Sequence, residues 1–208
     1  GLMGTYHKFR NTLATTLTGS ARTAYFYASV HNYKDTLEAA LAADNIPTSL
    51  YDGLIQTVHD NFAPLHEYIQ LKKDVLGVEE FHPYDLYMPL STAGDSFACT
   101  FPEACAKVEE ALSPLGKDYV DTLHKGLTQG WIDVYENKGK RSGAYSWGIY
   151  GVHPFVLLNY QERYNSISTI AHEMGHAMHS YYSSQAQTYM NSEYTIFCAE
   201  VASTTNEN

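Results

Sequence analysis

The segment His172-Glu173-Met174-Gly175-His176 has the pattern HExxH, and this spacing is the strongest indication of function in the chain. On a helix, residues four apart lie one turn from each other, so the two imidazoles share a face. Two neutral imidazoles in this arrangement bind zinc, and the glutamate between them can reach a metal-bound water as a general base. The pattern therefore predicts a catalytic zinc site.

The residues around the motif favour a helix. From Ile167 onward, apolar side chains recur at helical spacing and form one stripe, which consists of Ile170, Ala171, Met174, Ala177, Met178 and Tyr181. His172 and His176 fall roughly opposite that stripe, so one face packs and the other presents ligands. We expect Gly175 to leave the neighbourhood of the metal uncrowded, although a glycine inside a helix costs about 1 kcal/mol relative to alanine. The alternative is a pair of histidines on a solvated helix face.

A hydrolytic zinc site needs a third protein ligand and an open fourth position. His179 is one candidate, but three ligands on one straight helix rarely converge, because the outer two are about 10 Å apart along its axis. Glu193 is a second, although it resembles a residue in the first turn of the next helix. Glu200 is better placed, since it interrupts an uncharged run that we expect to be a buried helix. A buried carboxylate needs a compensating partner, which is either a dication or a basic side chain in an ion pair.

Several segments together resemble the M3 zinc metallopeptidases, and most closely their oligoendopeptidase F branch. The segments are His172–Tyr182, Phe197–Thr204, Gly139–Trp147, Pro154–Tyr160 and Tyr84–Tyr87, and the likeness extends from Tyr6 to Glu207. The resemblance implies a mainly α fold, with a multi-helix zincin-type core and a small β-sheet beside the active-site helix.

The resemblance also implies roles for individual residues. His172, His176 and Glu200 would hold one Zn²⁺, and Glu173 would be the catalytic base in the hydrolysis of peptide bonds within oligopeptides. Segment 1–78 would form part of a channel wall, and segment 79–208 the catalytic core with both ligand helices. Family members extend beyond both ends of the matching region, so we expect a central fragment that binds zinc poorly or turns over slowly by itself.

Gly143, Ala144 and Tyr145 are candidates for substrate binding. Small residues let a backbone approach a ligand, and a strand edge can pair with an extended peptide. The alternative is an ordinary hairpin connection. His153 could contact substrate, or it could be a hydrogen-bonded packing residue. Glu207 shares a helical face with Glu200, so it could orient a ligand histidine or simply lie at the surface.

Composition excludes several classes of protein. The net charge of −10 argues against nucleic acid or an anionic membrane surface as a partner. No apolar run approaches the roughly 18 residues that a membrane-spanning helix needs. Three cysteines without CxxC spacing, at positions 99, 105 and 198, indicate free thiols in a reducing compartment. We therefore expect a cytoplasmic protein, and the resemblance to the M3 peptidases implies that its partners are oligopeptides.

The remaining pattern predicts several further elements. Helices are expected at 5–17 with an end near Gly19, at 21–43, and at 48–77 with a kink at Pro64. Two more are expected at 102–112 and 116–129, with loops over 80–100 punctuated by Pro83, Pro89 and Gly94. Strands are expected at 131–135 and 155–158.

Three other functions remain open at this point. The chain could be a catalytically incomplete helical zinc-binding fragment, or a non-catalytic helical scaffold whose HExxH is fortuitous or degenerate. It could be a structural zinc module, which would require four protein ligands. It could also be a different HExxH peptidase, such as a metal carboxypeptidase.

Overall fold

The computed structural model describes residues 1–90 and 97–208, and these belong to two units, Gly1–Leu90 and Ser91–Asn208. Helices dominate both, and one small sheet lies in the second unit. The predicted fold class, mainly α with a small sheet, is confirmed. No helix among the described residues is both long and apolar enough to cross a membrane. The predicted turn at Gly94 lies outside the described residues.

The first unit contains five helices, α1 to α5, at Leu2–Lys8, Arg10–Val30, Thr36–Ala42, Thr48–Asp60 and Phe62–Leu76. The predicted helix end near Gly19 is wrong, because α2 continues through it. One glycine costs a helix only about 1 kcal/mol, which 21 residues absorb. The chain breaks instead after Val30, and Asp35 caps α3 by accepting a hydrogen bond from the Glu38 amide at 2.9 Å.

The single predicted helix over 48–77 is two helices in the structure, separated at Asn61. Pro64 therefore lies in the first turn of α5 and does not kink a longer helix. A proline is tolerated there because first-turn N–H groups have no intrahelical partner. Gly77 ends α5 in the left-handed conformation, with φ of 66°, as the predicted boundary requires. A short 3-10 turn follows at Pro83–Tyr87.

The second unit contains α6 at Phe101–Ala111, α7 at Lys117–Thr128, α8 at Tyr164–Ala186 and α9 at Ile196–Glu207. The predicted helices at 102–112 and 116–129 correspond to α6 and α7 within one residue at each end. A capping box explains where α6 begins: the Thr100 amide donates to the Glu103 carboxylate at 2.8 Å.

The sheet has the order β1-β3-β2, with β1 at Ile132–Asp133, β2 at Tyr145–Trp147 and β3 at Phe155–Leu157. Strand β1 is parallel to β3, whereas β2 is antiparallel to it. Both predicted strands are present but shorter, and β2 is an addition that the sequence suggested only as a candidate strand edge. Because β2 pairs with β3 alone among the described strands, its other edge is free.

Helix α8 is the centre of the core. Its apolar stripe is confirmed, since Ile170, Met174 and Ala177 have no exposed surface and Met178 is 1% exposed. These side chains pack in one cluster with residues of α6, α7 and β3, including Val108, Leu123 and Val156. Burial of this stripe fixes the rotation of α8 and directs its histidines away from the core.

Helix α9 is not the buried apolar helix that the sequence predicts. Its large apolar side chains Ile196, Phe197 and Val201 are all more than half exposed, and its buried residues are Ser203 and Asn206. The prediction is wrong because α9 contacts α8 through small and polar residues. Glu193 also lies outside α9, three residues before its start, so the expectation of a first-turn position is wrong.

Candidate metal centre

The two histidines of the motif present their Nε2 atoms to each other. The Nε2 atoms of His172 and His176 are 3.2 Å apart, one turn apart on α8. Both side chains are partly buried, with 27% and 17% of their surface exposed. Burial, the largest effect, lowers the pKa of His176. A lowered pKa favours the neutral imidazole, which is the form that binds a metal.

Glu200 completes a triangle of donor atoms. Its Oε2 is 3.6 Å from the Nε2 of His172 and 3.6 Å from the Nε2 of His176. The Ser203 hydroxyl donates to the same oxygen at 2.9 Å, and Ser203 is fully buried. The carboxylate is thus held toward the imidazoles by a hydrogen bond from its own helix.

Close contact between α8 and α9 brings Glu200 to this position. A Cβ placed on Gly175 would be 2.7 Å from the Ser203 Cα and 2.8 Å from the Ala202 carbonyl oxygen. Only a glycine permits this approach. The sequence predicts that Gly175 leaves space near a metal, but in the structure the backbone of α9 occupies the space beside it.

The donor triangle fits a zinc ion. Tetrahedral zinc with bonds of about 2.0–2.2 Å to nitrogen and oxygen requires its donors to be about 3.3–3.5 Å apart. The three observed separations are 3.2, 3.6 and 3.6 Å. Two imidazoles and one carboxylate are also the protein ligands of one class of hydrolytic zinc site, in which the fourth position is open. Across residues 1–90 and 97–208, this is the one group of three or more side chains arranged to hold a metal.

Glu173 lies beside the triangle in a different environment. It is 7% exposed, and burial raises the pKa of its carboxyl group, an effect that His172 opposes and Glu200 reinforces. No side-chain hydrogen bond holds it among the residues the structure describes. A poorly solvated carboxylate without a fixed partner is suited to accept a proton.

Glu207 contacts the far side of one imidazole. Its Oε1 is 2.7 Å from the Nδ1 of His172, on the ring atom that does not point at the triangle. This is the orienting position that the sequence offered as one of two alternatives. A carboxylate there fixes the tautomer with hydrogen on Nδ1 and a free lone pair on Nε2.

Replacing Glu207 by glutamine is expected to weaken zinc binding by the intact protein about tenfold, because the amide orients His172 without the charge that raises its basicity. Competition with a chromophoric chelator measures the affinity. Glu162→Gln removes an exposed carboxylate elsewhere and serves as the control. Equal affinities for the two variants would contradict an orienting role for Glu207.

His179, the first alternative ligand, does not join the triangle. Its ring stacks on Tyr194 with centroids 3.7 Å apart, and burial lowers its pKa. The Tyr194 hydroxyl in turn lies 2.6 Å from the Ser180 hydroxyl. These contacts attach the segment before α9 to α8.

The candidate substrate residues have varied surroundings. Gly143 and Ala144 line a cavity of about 440 Å³ that also includes Lys140, and Tyr145 begins the edge strand β2. The ring of His153 stacks on Trp131 at 5.4 Å, and its Nδ1 is 2.8 Å from the Pro154 carbonyl oxygen. These contacts are those of a packing residue, and a role in substrate binding remains a prediction for all four.

Two residues that shape the site were missed in the sequence. Ser203 holds the Glu200 carboxylate, and Asn206 connects three helices. The Asn206 amide donates to the Ala171 carbonyl at 3.0 Å, and its side-chain oxygen accepts a hydrogen bond from the Tyr119 hydroxyl at 2.7 Å. Both residues lie beyond the otherwise uncharged run 196–202 that drew attention to Glu200, in a stretch that is polar throughout, so no signal in the sequence singled them out.

Comparison with known proteins places the chain in a family. The sequence profile described as Peptidase family M3 matches residues 2–208. Oligopeptidase PepF of Bacillus subtilis is 48% identical over 204 residues, which cover 98% of this chain and 30% of that protein. Group B oligopeptidase PepB of Streptococcus agalactiae is 44% identical over 207 residues, which cover 100% of this chain and 34% of that protein. The chain thus spans about a third of the length of these relatives.

Solved structures agree with this comparison. A crystal structure of a protein from Chlamydophila abortus, 48% identical, superposes with a TM-score of 0.82 over 97% of this chain and 34% of its own. Oligoendopeptidase-F from Enterococcus faecium, 34% identical, gives a TM-score of 0.62 over 100% of this chain and 29% of its own. The chain belongs to peptidase family M3 and is similar to the oligoendopeptidase F proteins within it.

Proposed function

We propose that the intact protein is a zinc metalloendopeptidase that hydrolyses peptide bonds within oligopeptides. The observation that carries this proposal is the triangle of donor atoms from His172, His176 and Glu200, with Glu173 beside it. Membership of a peptidase family supports the general reaction. The donor set supports one zinc ion.

His172, His176 and Glu200 would hold the metal, and each would use an atom that already points toward the other two. A zinc ion bound there would supply Lewis acidity, which polarises a carbonyl oxygen and lowers the pKa of water. Glu173 would accept the proton from the attacking water and pass it to the nitrogen of the departing amine. Its raised pKa brings it nearer to the value that suits both transfers.

The free edge of β2 would bind the substrate backbone. Tyr145 begins this strand, and Gly143 and Ala144 lead into it, so an extended peptide could add to the sheet by main-chain hydrogen bonds. Such pairing tolerates many side chains. His153, which lies just before β3 and beside Phe155, would contact the bound substrate. By family likeness, the helical segment 1–78 would contribute to a channel that admits oligopeptides and excludes folded proteins.

The cysteines indicate the cellular compartment in which the protein works. Cys99, Cys105 and Cys198 are all free thiols, and two of them are buried. Free thiols fit a reducing environment. We propose the cytoplasm on this basis.

The test is a metal titration coupled to an oligopeptide assay on the intact protein. We expect one zinc per chain, cleavage of an internally quenched peptide at an internal bond, loss of cleavage on chelation, and recovery with zinc. Hydrolysis that survives complete metal removal would exclude the proposal. Release of single terminal residues would instead indicate an exopeptidase, and an anomalous scattering peak with four protein ligands would indicate a structural zinc site.

A further inference from the structure

A second cavity lies along α8 beyond the metal ligands and has no role in the chemistry described so far. It has a volume of about 500 Å³ and lies between the end of β2, the second half of α8 and the turn before α9. This volume is in the range of about 300–1,000 Å³ that is usual for ligand pockets.

The cavity is close to the metal ligands along α8. Ser180 lines it and is one turn beyond His176, which corresponds to about 6 Å along the helix axis. Tyr194 also lines it, and its hydroxyl is 3.5 Å from the His176 carbonyl oxygen. The cavity therefore lies near the metal ligands, on the C-terminal side of His176 along α8.

One charged residue belongs to a lining that is otherwise neutral. Glu193 is the single residue of this lining that is charged at neutral pH, and tyrosines and serines supply most of the rest. No salt bridge occupies the Glu193 carboxylate in the part of the chain that the structure describes. The rings of Tyr150 and Tyr189 meet edge to face nearby, with centroids 5.5 Å apart.

Hydrogen bonds fix the turn that carries Glu193. The Ser183 hydroxyl on α8 donates to the Ser192 carbonyl at 2.6 Å, and the Ser192 hydroxyl donates to the Tyr189 carbonyl at 3.0 Å. Tyr150 is held as well, since its hydroxyl donates to the Gln187 carbonyl at 3.2 Å. The backbone turn that carries Glu193 and the ring of Tyr150 are thus held before any ligand arrives, whereas the Glu193 side chain is exposed.

Ser146 supplies an unused hydrogen-bonding group. Ser146 lines the cavity, and its hydroxyl oxygen is buried and has no partner among the described residues. Buried polar atoms are normally satisfied, so an isolated one at the wall of a cavity indicates a group that a ligand can pair with.

We propose that this cavity is a substrate subsite for a basic side chain, with Glu193 as the residue that determines specificity. The inference rests on the proposed peptidase function. The lysine ammonium or arginine guanidinium of an oligopeptide forms an ion pair with Glu193, and its aliphatic stem packs against Tyr150 and Tyr189. Ser146 pairs with a polar group of the same peptide.

The experiment uses the intact protein and a panel of quenched peptides that differ at one position at a time, within four residues of the cleaved bond. At one position we expect lysine to exceed norleucine about fivefold in kcat/KM, the size of effect that an exposed ion pair supplies. Glu193→Gln should bring this ratio to about one by slowing the lysine peptide, and Glu193→Lys should favour glutamate there. Glu110→Gln, which removes an exposed carboxylate on α6, is the matched control and should keep the ratio.

Three results would overturn the subsite: no position that prefers lysine, a preference that survives Glu193→Gln, or an equal loss for both peptides. Binding of the labelled peptides by fluorescence anisotropy separates this inference from the peptidase proposal. If discrimination in binding depends on Glu193 but no peptide is cleaved, the subsite stands and the peptidase proposal falls. If peptides are cleaved without discrimination, the peptidase proposal stands and the subsite falls.

Discussion

Glutamine in place of Glu173 is expected to lower kcat/KM for oligopeptide cleavage by about 10²–10⁴-fold, with one zinc still bound per chain. The amide has the shape of the carboxylate but cannot accept a proton from the attacking water. Zinc is retained because Glu173 contributes no atom to the donor triangle of His172, His176 and Glu200. Kinetics with a quenched peptide and metal analysis of the same sample measure both effects.

Stability provides an internal check on this variant. Burial is what raises the pKa of Glu173, so its ionised form is poorly solvated in the folded protein. A neutral glutamine avoids that cost, and Glu173→Gln should therefore unfold at a temperature equal to or above that of the unmodified protein. Glu162→Gln is the control for both measurements and should leave the rate unchanged. A Glu173→Gln protein with near-normal turnover, or one that has lost its zinc, would remove Glu173 from the proposed mechanism.

The parts of the fold that follow from local periodicity were predictable. The apolar stripe from Ile170 to Met178 specifies a helix and the face that it buries, and the structure buries that face. Two histidines four residues apart must then lie on the opposite side. Helix geometry places the two residues about 6 Å apart along one face, but the 3.2 Å separation of their Nε2 atoms also depends on side-chain rotamers, and Glu207 on α9 holds the ring of His172.

The position of Glu200 was predicted for a partly wrong reason. We expected a buried helix, but Phe197 and Val201 are exposed and the Glu200 side chain itself is 50% exposed. The contact that positions it is a match of shape between Gly175 on one helix and Ser203 on another. The sequence pattern of α9 does not show that α8 lacks a side chain at Gly175, so this contact could not be predicted.

Helix ends and the third strand were missed for a related reason. Whether Gly19 ends a helix depends on the balance of small free energies, and the structure continues α2 through it. Strand β2 has three residues and depends on hydrogen bonds to β3 for its extended form. Short strands carry little periodicity of their own, so their existence depends on partners distant in the sequence.

The contact between α8 and α9 gives the second large effect, which is expected from Gly175→Ala. The new methyl group would lie 2.7 Å from the Ser203 Cα and 3.0 Å from its amide nitrogen, well inside ordinary contact distance. Since these are backbone atoms, no side-chain rotation relieves the overlap, and the helices must separate. Glu200 moves with α9 away from the two histidines.

The consequence is a metal site that is present but distorted. Functional sites tolerate displacements of only about 0.5 Å, and a displacement near 1 Å can cost about 10²-fold in rate. We therefore expect Gly175→Ala to lower kcat/KM by about 10²-fold and to weaken zinc binding in a chelator competition, with loss of stability of about 1–3 kcal/mol from overpacking.

The matched control is Gly53→Ala on α4, where the added methyl meets no atom within 4 Å. There the same substitution should raise stability by up to about 1 kcal/mol, because alanine is the better helix former. Opposite signs for the two variants would show that the effect at Gly175 comes from the contact between α8 and α9, because both replace a helical glycine with alanine. If Gly175→Ala instead keeps normal zinc affinity and turnover, Glu200 still reaches the two histidines when α9 lies farther from α8. In that case Ser203, which bonds the carboxylate directly, would have to be sufficient to position the third ligand.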